Sequence, residues 1–197
     1  MKIGVLGGSF DPIHNGHLVA AQHVANQLDL QRVLFVPAGN QWQKTQLAGA
    51  KQTDAKQRLA MTKLAISGNP LFSLSSIDVD RGEATYTVDT LTELRETHSN
   101  DELFFILGAD AIAGIESWKD SDKLFDLATF VAVSRPGYQL QVPEKFKDRV
   151  IQVQMDSLDL SSTECRDRAL AGQDLTGLVP DAVITYIREN NLYQEAK

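Results

Sequence analysis

Residues 103–108 read Leu-Phe-Phe-Ile-Leu-Gly, with no polar side chain before the closing glycine. A strand of this composition has no face to turn to water, so it belongs inside a sheet covered on both sides. Other runs of strand length are spaced along the chain: MKIGVL at 1–6, RVLFVPAG at 32–39, LFSLSSIDV at 71–79, ATFVAVSRPG at 128–137 and RVIQVQM at 149–155. Between them, apolar residues recur at helical spacing. Val19, Ala20, His23, Val24 and Leu28 form one stripe. Leu59, Leu64 and Ile66 fall within a second helix over 54–67. Val88, Leu91 and Leu94 mark a third over 87–97. Two more helices are predicted over 161–171 and 180–191, the latter with Pro180 at a favoured first-turn position. Residues 40–53 are polar, Gln-rich and without period, and read as a loop. Strand–helix alternation over nearly the whole length predicts an α/β protein. Its sheet is doubly wound and mostly parallel, with helices on both faces and a small helical part at the C-terminal end. A length of 197 residues suits one domain spanning 1–197.

The formal charge of −7 disfavours a general nucleic-acid or anionic-membrane surface. An anionic ligand would have to meet a local cluster of donors. The single cysteine, Cys165, excludes an intrachain disulfide and a CxxC metal site, and reads as a small buried residue. No apolar stretch approaches the roughly 20 residues of a membrane span, and MKIGVL is too short for a signal peptide. A cytoplasmic protein is expected.

In sheets of this kind, ligands bind beyond the carboxyl ends of the strands. The first such end carries GGSFDPIHNGH, residues 7–17. Gly7 and Gly8 allow close backbone approach to a ligand. The helix that follows offers unpaired N–H groups and a partial positive charge to an anion. His14 and His17, three residues apart, can share one face of that helix start. The segment is neither GxxxxGK[ST] nor GxGxxG. Two other readings stay open on the residues alone: a tight turn with two surface histidines, or a zinc site, for which no third ligand is evident nearby. A second motif, LSSTECR at 160–166, has Ser161 and Glu164 at capping-box spacing. Ser162 and Thr163 would then lie in the first turn of a helix. Arg166, four residues after Ser162, would share its face and could clamp phosphates. The plainer reading is a capped surface helix.

The two motifs, in this order, resemble the two signatures of the HxGH nucleotidyltransferase superfamily. FFILGADAIAGIESWKD (104–120), TYTVDTL (85–91), VSRPG (133–137) and VPDAVITYIRENNLY (179–193) narrow the resemblance to bacterial nicotinate-nucleotide adenylyltransferases, from residue 1 to about 193. The resemblance implies a Rossmann-like nucleotidyltransferase fold and transfer of AMP from ATP to nicotinate mononucleotide. The products would be deamido-NAD and pyrophosphate, with Mg²⁺ accompanying ATP, and homo-oligomers are compatible with it. It places His14, His17, Lys44 and Arg166 in the catalytic group. Gly7, Gly8, Ser9, Phe10, Gly108, Asp110, Arg135, Ser162 and Thr163 join the histidines and Arg166 around ATP. Lys44, Thr85, Tyr86, Thr87, Asp110 and Trp118 would hold the mononucleotide. Trp118 would stack on the pyridine, and the 85–87 backbone would meet its carboxylate. No resident metal site is implied.

Three departures stand out: Gln43 where a histidine often precedes the lysine, Thr85 for the usual serine, and Cys165 for a common isoleucine. Related adenylyltransferases using nicotinamide mononucleotide or phosphopantetheine, and a non-catalytic nucleotide-binding regulator, remain as alternatives. His14 argues against the phosphopantetheine enzymes, which usually carry threonine there.

Overall fold

The computed structural model describes residues 1–40, 53–134, 140–156 and 160–194. Six parallel strands form one sheet: β1 (Lys2–Gly8), β2 (Arg32–Pro37), β3 (Phe72–Leu74), β4 (Glu102–Gly108), β5 (Thr129–Ser134) and β6 (Val150–Gln154). Their order is β3-β2-β1-β4-β5-β6. The apolar run at 103–108 is β4. Leu103 through Leu107 are all buried, and β4 lies in the middle of the sheet as its composition requires.

Eight α-helices are described: α1 (Asn15–Leu28), α2 (Ala55–Ile66), α3 (Ile77–Arg81), α4 (Thr87–Thr97), α5 (Ala109–Ala113), α6 (Ser121–Leu127), α7 (Ser162–Leu170) and α8 (Asp181–Glu189). They build two cores, one on each face of the sheet. On one face Val24, Met61, Cys165, Val183 and Ile187 gather around Val33, Phe35 and Ile106. The C-terminal helices therefore share a core with α1 and α2. On the other face Leu91, Leu94, Ile112 and Leu124 pack on Val5, Phe105 and Phe130. No helix among the described residues is long and apolar enough to cross a membrane.

Three local expectations change. The strand predicted over 71–79 pairs only at Phe72–Leu74, on the sheet edge. Ser76 then caps α3, which ends at Gly82 with φ 71°. The alternation runs on past the strand because Ile77 and Val79 belong to a helical turn. In α2 the buried positions are Arg58, Met61, Thr62 and Ile66, not the Leu59–Leu64 pair. In α1 the buried face is Ala21, Val24 and Ala25, while Val19 is 40% exposed.

The order of strands creates one switch point. The chain leaves β1 toward β2 and leaves β4 toward β5, on opposite sides, so a crevice opens between their carboxyl ends. Leu6 pairs with Ile106, so the Gly7–Gly8 and Leu107–Gly108 ends stand side by side.

Gly39, just past β2, is held against α3. A methyl group there would lie 2.3 Å from the Asp78 carbonyl oxygen. Backbone must move to admit it. Gly39→Ala is expected to destabilise the fold by about 1–3 kcal/mol or more, read as a lower urea midpoint with an unchanged m-value.

Candidate active site

The first motif fills the mouth of the crevice. β1 ends at Gly8, and Phe10 turns the chain with φ 49°, a left-handed conformation that bulky residues rarely adopt. Its ring is buried and holds that turn in place: it lies 5.9 Å from Phe35 and edge-on to His17 at 5.1 Å. Phe10 thus serves the site from beneath. His14 is the N-cap residue of α1 and His17 its third helical residue. The two imidazoles stack with centroids 3.7 Å apart.

The hydrogen bonds fix what these rings can do. The His14 backbone N–H donates to His17 Nδ1 at 3.1 Å. A nitrogen that accepts carries no proton, so neutral His17 presents its proton on Nε2. His14 is 6% exposed, and its Nδ1 is buried without a partner. Burial lowers its pKa from 6.5 to about 4. His14 is therefore neutral at pH 7, and both rings can work as hydrogen-bond donors without carrying charge. Gly16 makes the stack possible. A methyl group at that position would lie 3.0 Å from His14 Nδ1 and 3.1 Å from its Cε1.

The second motif closes directly on the first. Ser161 caps α7 by accepting from the Glu164 N–H at 3.1 Å, as its spacing predicts. Ser162 Oγ donates to the Pro12 carbonyl at 2.9 Å. Arg166 Nη1 donates to the Asp11 carbonyl at 2.7 Å, and its Nη2 reaches Thr163 Oγ1 at 3.1 Å. The Arg166 guanidinium thus stands against the turn that carries the histidines. Asn15 opens α1 with two further ties: its backbone N–H donates to the Leu178 carbonyl and its side chain to that of Gly177, both at 2.8 Å.

Asp110 lies in the first turn of α5, two residues after Gly108 at the end of β4, and is exposed. Among the described residues nothing beyond its chain neighbours approaches within 4 Å of the place a Cβ at Gly108 would take. Thr85 donates its backbone N–H to the Asn40 carbonyl and accepts from the Gly39 N–H through Oγ1, both at 2.9 Å. Tyr86 caps α4 through its backbone alone, with no side-chain bond to the first turn. Trp118, half-buried, sits edge-on to Phe105 at 6.4 Å. The neighbouring Lys119 Nζ lies 4.6 Å over the Tyr86 ring and 2.9 Å from Asp89. That contact brings the Trp118 loop beside the start of α4. Lys44 and Arg135 lie outside the described residues.

Three residues not singled out from the sequence also belong here. Arg58 donates to the carbonyls of Ser9 at 2.6 Å, Gly39 at 2.7 Å and Thr53 at 3.0 Å. Asp11 accepts from the Tyr193 hydroxyl at 2.7 Å and from the Thr53 N–H at 3.3 Å. The one sequence signal for Arg58 was its place on the inner stripe of α2, at i, i+3, i+4 and i+8 with Met61, Thr62 and Ile66. Tyr193, near the end of the chain, gave none.

Comparisons with known proteins identify the family and the fold. A cytidylyltransferase-like family model matches residues 5–168. A probable nicotinate-nucleotide adenylyltransferase of Leifsonia xyli subsp. xyli is 51% identical over 193 residues, covering 98% of this chain and 94% of that protein. Its counterpart in Corynebacterium glutamicum is 47% identical over 196 residues, covering 98% and 88%. Plasmodium falciparum nicotinic acid mononucleotide adenylyltransferase complexed with NaAD shares the fold, with a TM-score of 0.79 at 24% identity, covering 98% of this chain and 97% of that one.

Two outcomes test the geometry. Gly16→Ala should keep or raise stability, because alanine is favoured over glycine in a helix by ~1 kcal/mol. It should still lower turnover about tenfold or more by moving the His14 ring. Thermal melts and steady-state rates on one preparation separate the two effects. The second outcome concerns pH. The His14 pKa is about 4 when folded and near 6.5 when unfolded. Between those values only the unfolded chain takes up the proton. The contribution is therefore complete above pH 6.5 and is lost as the pH falls toward 4, amounting to ~3 kcal/mol. The stability difference between wild type and His14→Asn should shrink by on the order of that amount between pH 7 and pH 4, read from urea unfolding.

Proposed function

The chain belongs to the nicotinate-nucleotide adenylyltransferase family, and we infer from that membership and the geometry that its pocket joins nicotinate mononucleotide to the AMP moiety of ATP. The products are deamido-NAD and pyrophosphate. One observation supports this reading: Arg166, 149 residues after His17, bonds the turn that leads into the HNGH segment, with Nη1 2.7 Å from the Asp11 carbonyl.

A phosphate monoester has its second pKa near 6, so the mononucleotide's phosphate is largely dianionic near pH 7 and already a nucleophile. One of its oxygens attacks the α-phosphorus of ATP in line. The new P–O bond forms as the bond from the α-phosphorus to the α,β-bridging oxygen breaks, and pyrophosphate leaves with the electron pair. No general base is required. What the chain supplies is orientation and stabilisation of charge moving onto pyrophosphate. His17 Nε2–H, His14, the Arg166 guanidinium and the first N–H groups of α1 serve that end. Gly7, Gly8 and Ser9 leave room for the triphosphate. Ser162 and Thr163 hold the second motif against it, and Lys44 reaches phosphate from the 41–52 segment. Asp110 binds a ribose hydroxyl, and Arg135 lies toward the adenosine.

On the other side, Trp118 stacks on the pyridine, and the Thr85–Tyr86–Thr87 backbone meets its carboxylate at the start of α4. A carboxylate suits that helix start better than a carboxamide, which favours the acid over the amide mononucleotide. Mg²⁺ enters with ATP as part of the substrate. A cytoplasmic location suits such an enzyme.

A pyrophosphate-release assay with ATP and each mononucleotide tests the reading. Release should be faster with nicotinate than with nicotinamide mononucleotide; no release with either would sink it. In the same assay His17→Ala should lower kcat by about 10²–10³ with the fold intact.

A further inference from the structure

Arg58 is 1% exposed, among the largest fully buried side chains of the protein. Its burial lowers the guanidinium pKa, and the negative charge of Asp11 acts against that. Among the described residues its hydrogen bonds go to three backbone carbonyls: Ser9, Gly39 and Thr53. A buried charge is a poor device for stability alone, since an apolar side chain of similar volume often serves as well. What only arginine offers is a planar fork of donors in fixed directions.

Those directions join three separate segments. Ser9 lies in the turn that leads to His14 and His17. Thr53 precedes α2 and also donates its N–H to Asp11. Gly39 lies past β2, and its N–H donates to Thr85 Oγ1, while the next carbonyl, Asn40, accepts from the Thr85 N–H. Thr85 opens the segment that runs into Tyr86 and α4. A single guanidinium therefore couples the histidine turn to the Thr85 segment across the mouth of β1 and β2.

We propose that Arg58 is a positioning residue that sets the separation between the triphosphate subsite and the pyridine-mononucleotide subsite. It touches neither substrate. It acts through Ser9 on one side and through Gly39 and Thr85 on the other. In-line transfer needs the attacking oxygen about 3–3.5 Å from phosphorus, and displacement by about 1 Å can cost ~10²-fold in rate. Each half-site can bind its own ligand without Arg58, but a ligand that spans both depends on their spacing. The proposal rests on the adenylyl-transfer reading above.

The test compares three probes by calorimetry on wild type and Arg58→Lys: nicotinate mononucleotide alone, a non-hydrolysable ATP analogue alone, and deamido-NAD, which spans both halves. In Arg58→Lys each single-site probe should bind within about threefold of wild type. Deamido-NAD should bind about tenfold weaker or worse, and kcat should fall about 10²-fold. A purely structural role would reduce the number of binding sites or the melting temperature and leave the ratio of the three Kd values as in wild type; that result overturns the proposal. Should Arg58→Lys fail to fold, Arg58→Gln, which keeps one amide donor but cannot span the Ser9, Gly39 and Thr53 carbonyls together, must show the same selective loss of deamido-NAD affinity. An unchanged ratio there overturns it equally. Failure of wild type to bind nicotinate mononucleotide is a separate result: it sinks the activity reading, and this proposal with it.

Discussion

The turn between β1 and α1 must leave its own backbone carbonyls without secondary-structure partners, and everything at the site follows from how they are satisfied. Buried carbonyls need donors. Here the donors are side chains from distant segments: Arg58 for Ser9, Arg166 for Asp11, and Ser162 for Pro12. Each bond fixes one point of the turn. Together they leave His14 and His17 one arrangement, stacked at the head of α1. The two sequence motifs are thus more than neighbours around a ligand. The second is part of what folds the first.

The same arrangement answers how a chain of net charge −7 can hold two anions. Its two histidines contribute direction in place of charge. Burial keeps His14 neutral, and acceptance at Nδ1 keeps the His17 proton on Nε2. Neutral donors in a sheltered site pay little reorganisation when charge shifts along a phosphate chain, and are stronger there than in water. Among the described residues, Arg166 and Arg58 bring positive charge to the turn that carries the histidines. Arg58 is surrounded by carbonyls and balanced at a distance by Asp11.

Much of this was legible in the residues. The apolar run of β4 demanded a covered parallel sheet, and strand–helix alternation supplied the rest of the layering. The glycines, the histidine pair and the Ser161 cap are local devices, and local devices leave local signals. Val88, Leu91 and Leu94 likewise point inward from α4 as their spacing requires. What stayed hidden depends on tertiary proximity. Arg58 occupies an inner-stripe position that a hydrophobic pattern skips over, because its partners are backbone atoms of other segments. The 71–79 stretch alternates like a strand, but only three residues find a neighbour to pair with before Ser76 caps a helix. The positions of Lys44 and Arg135 fall outside the described residues, so the sequence remains the only witness to their roles.

Sequence separation then has a consequence for how the site comes into being. The Tyr193 hydroxyl reaches Asp11 across 182 positions, and Arg166 reaches the same residue across 155. Contacts of such range carry the loop-closure entropy of nearly the whole chain, and they form only once the intervening layers are in place. The sheet and its two cores can assemble from neighbouring strand–helix units. The histidine turn draws in addition on α7 for the Asp11 and Pro12 carbonyls and on the segment after α8 for the Asp11 carboxylate. The C-terminal helices, which share a core with α1 and α2, thus also complete the donor geometry.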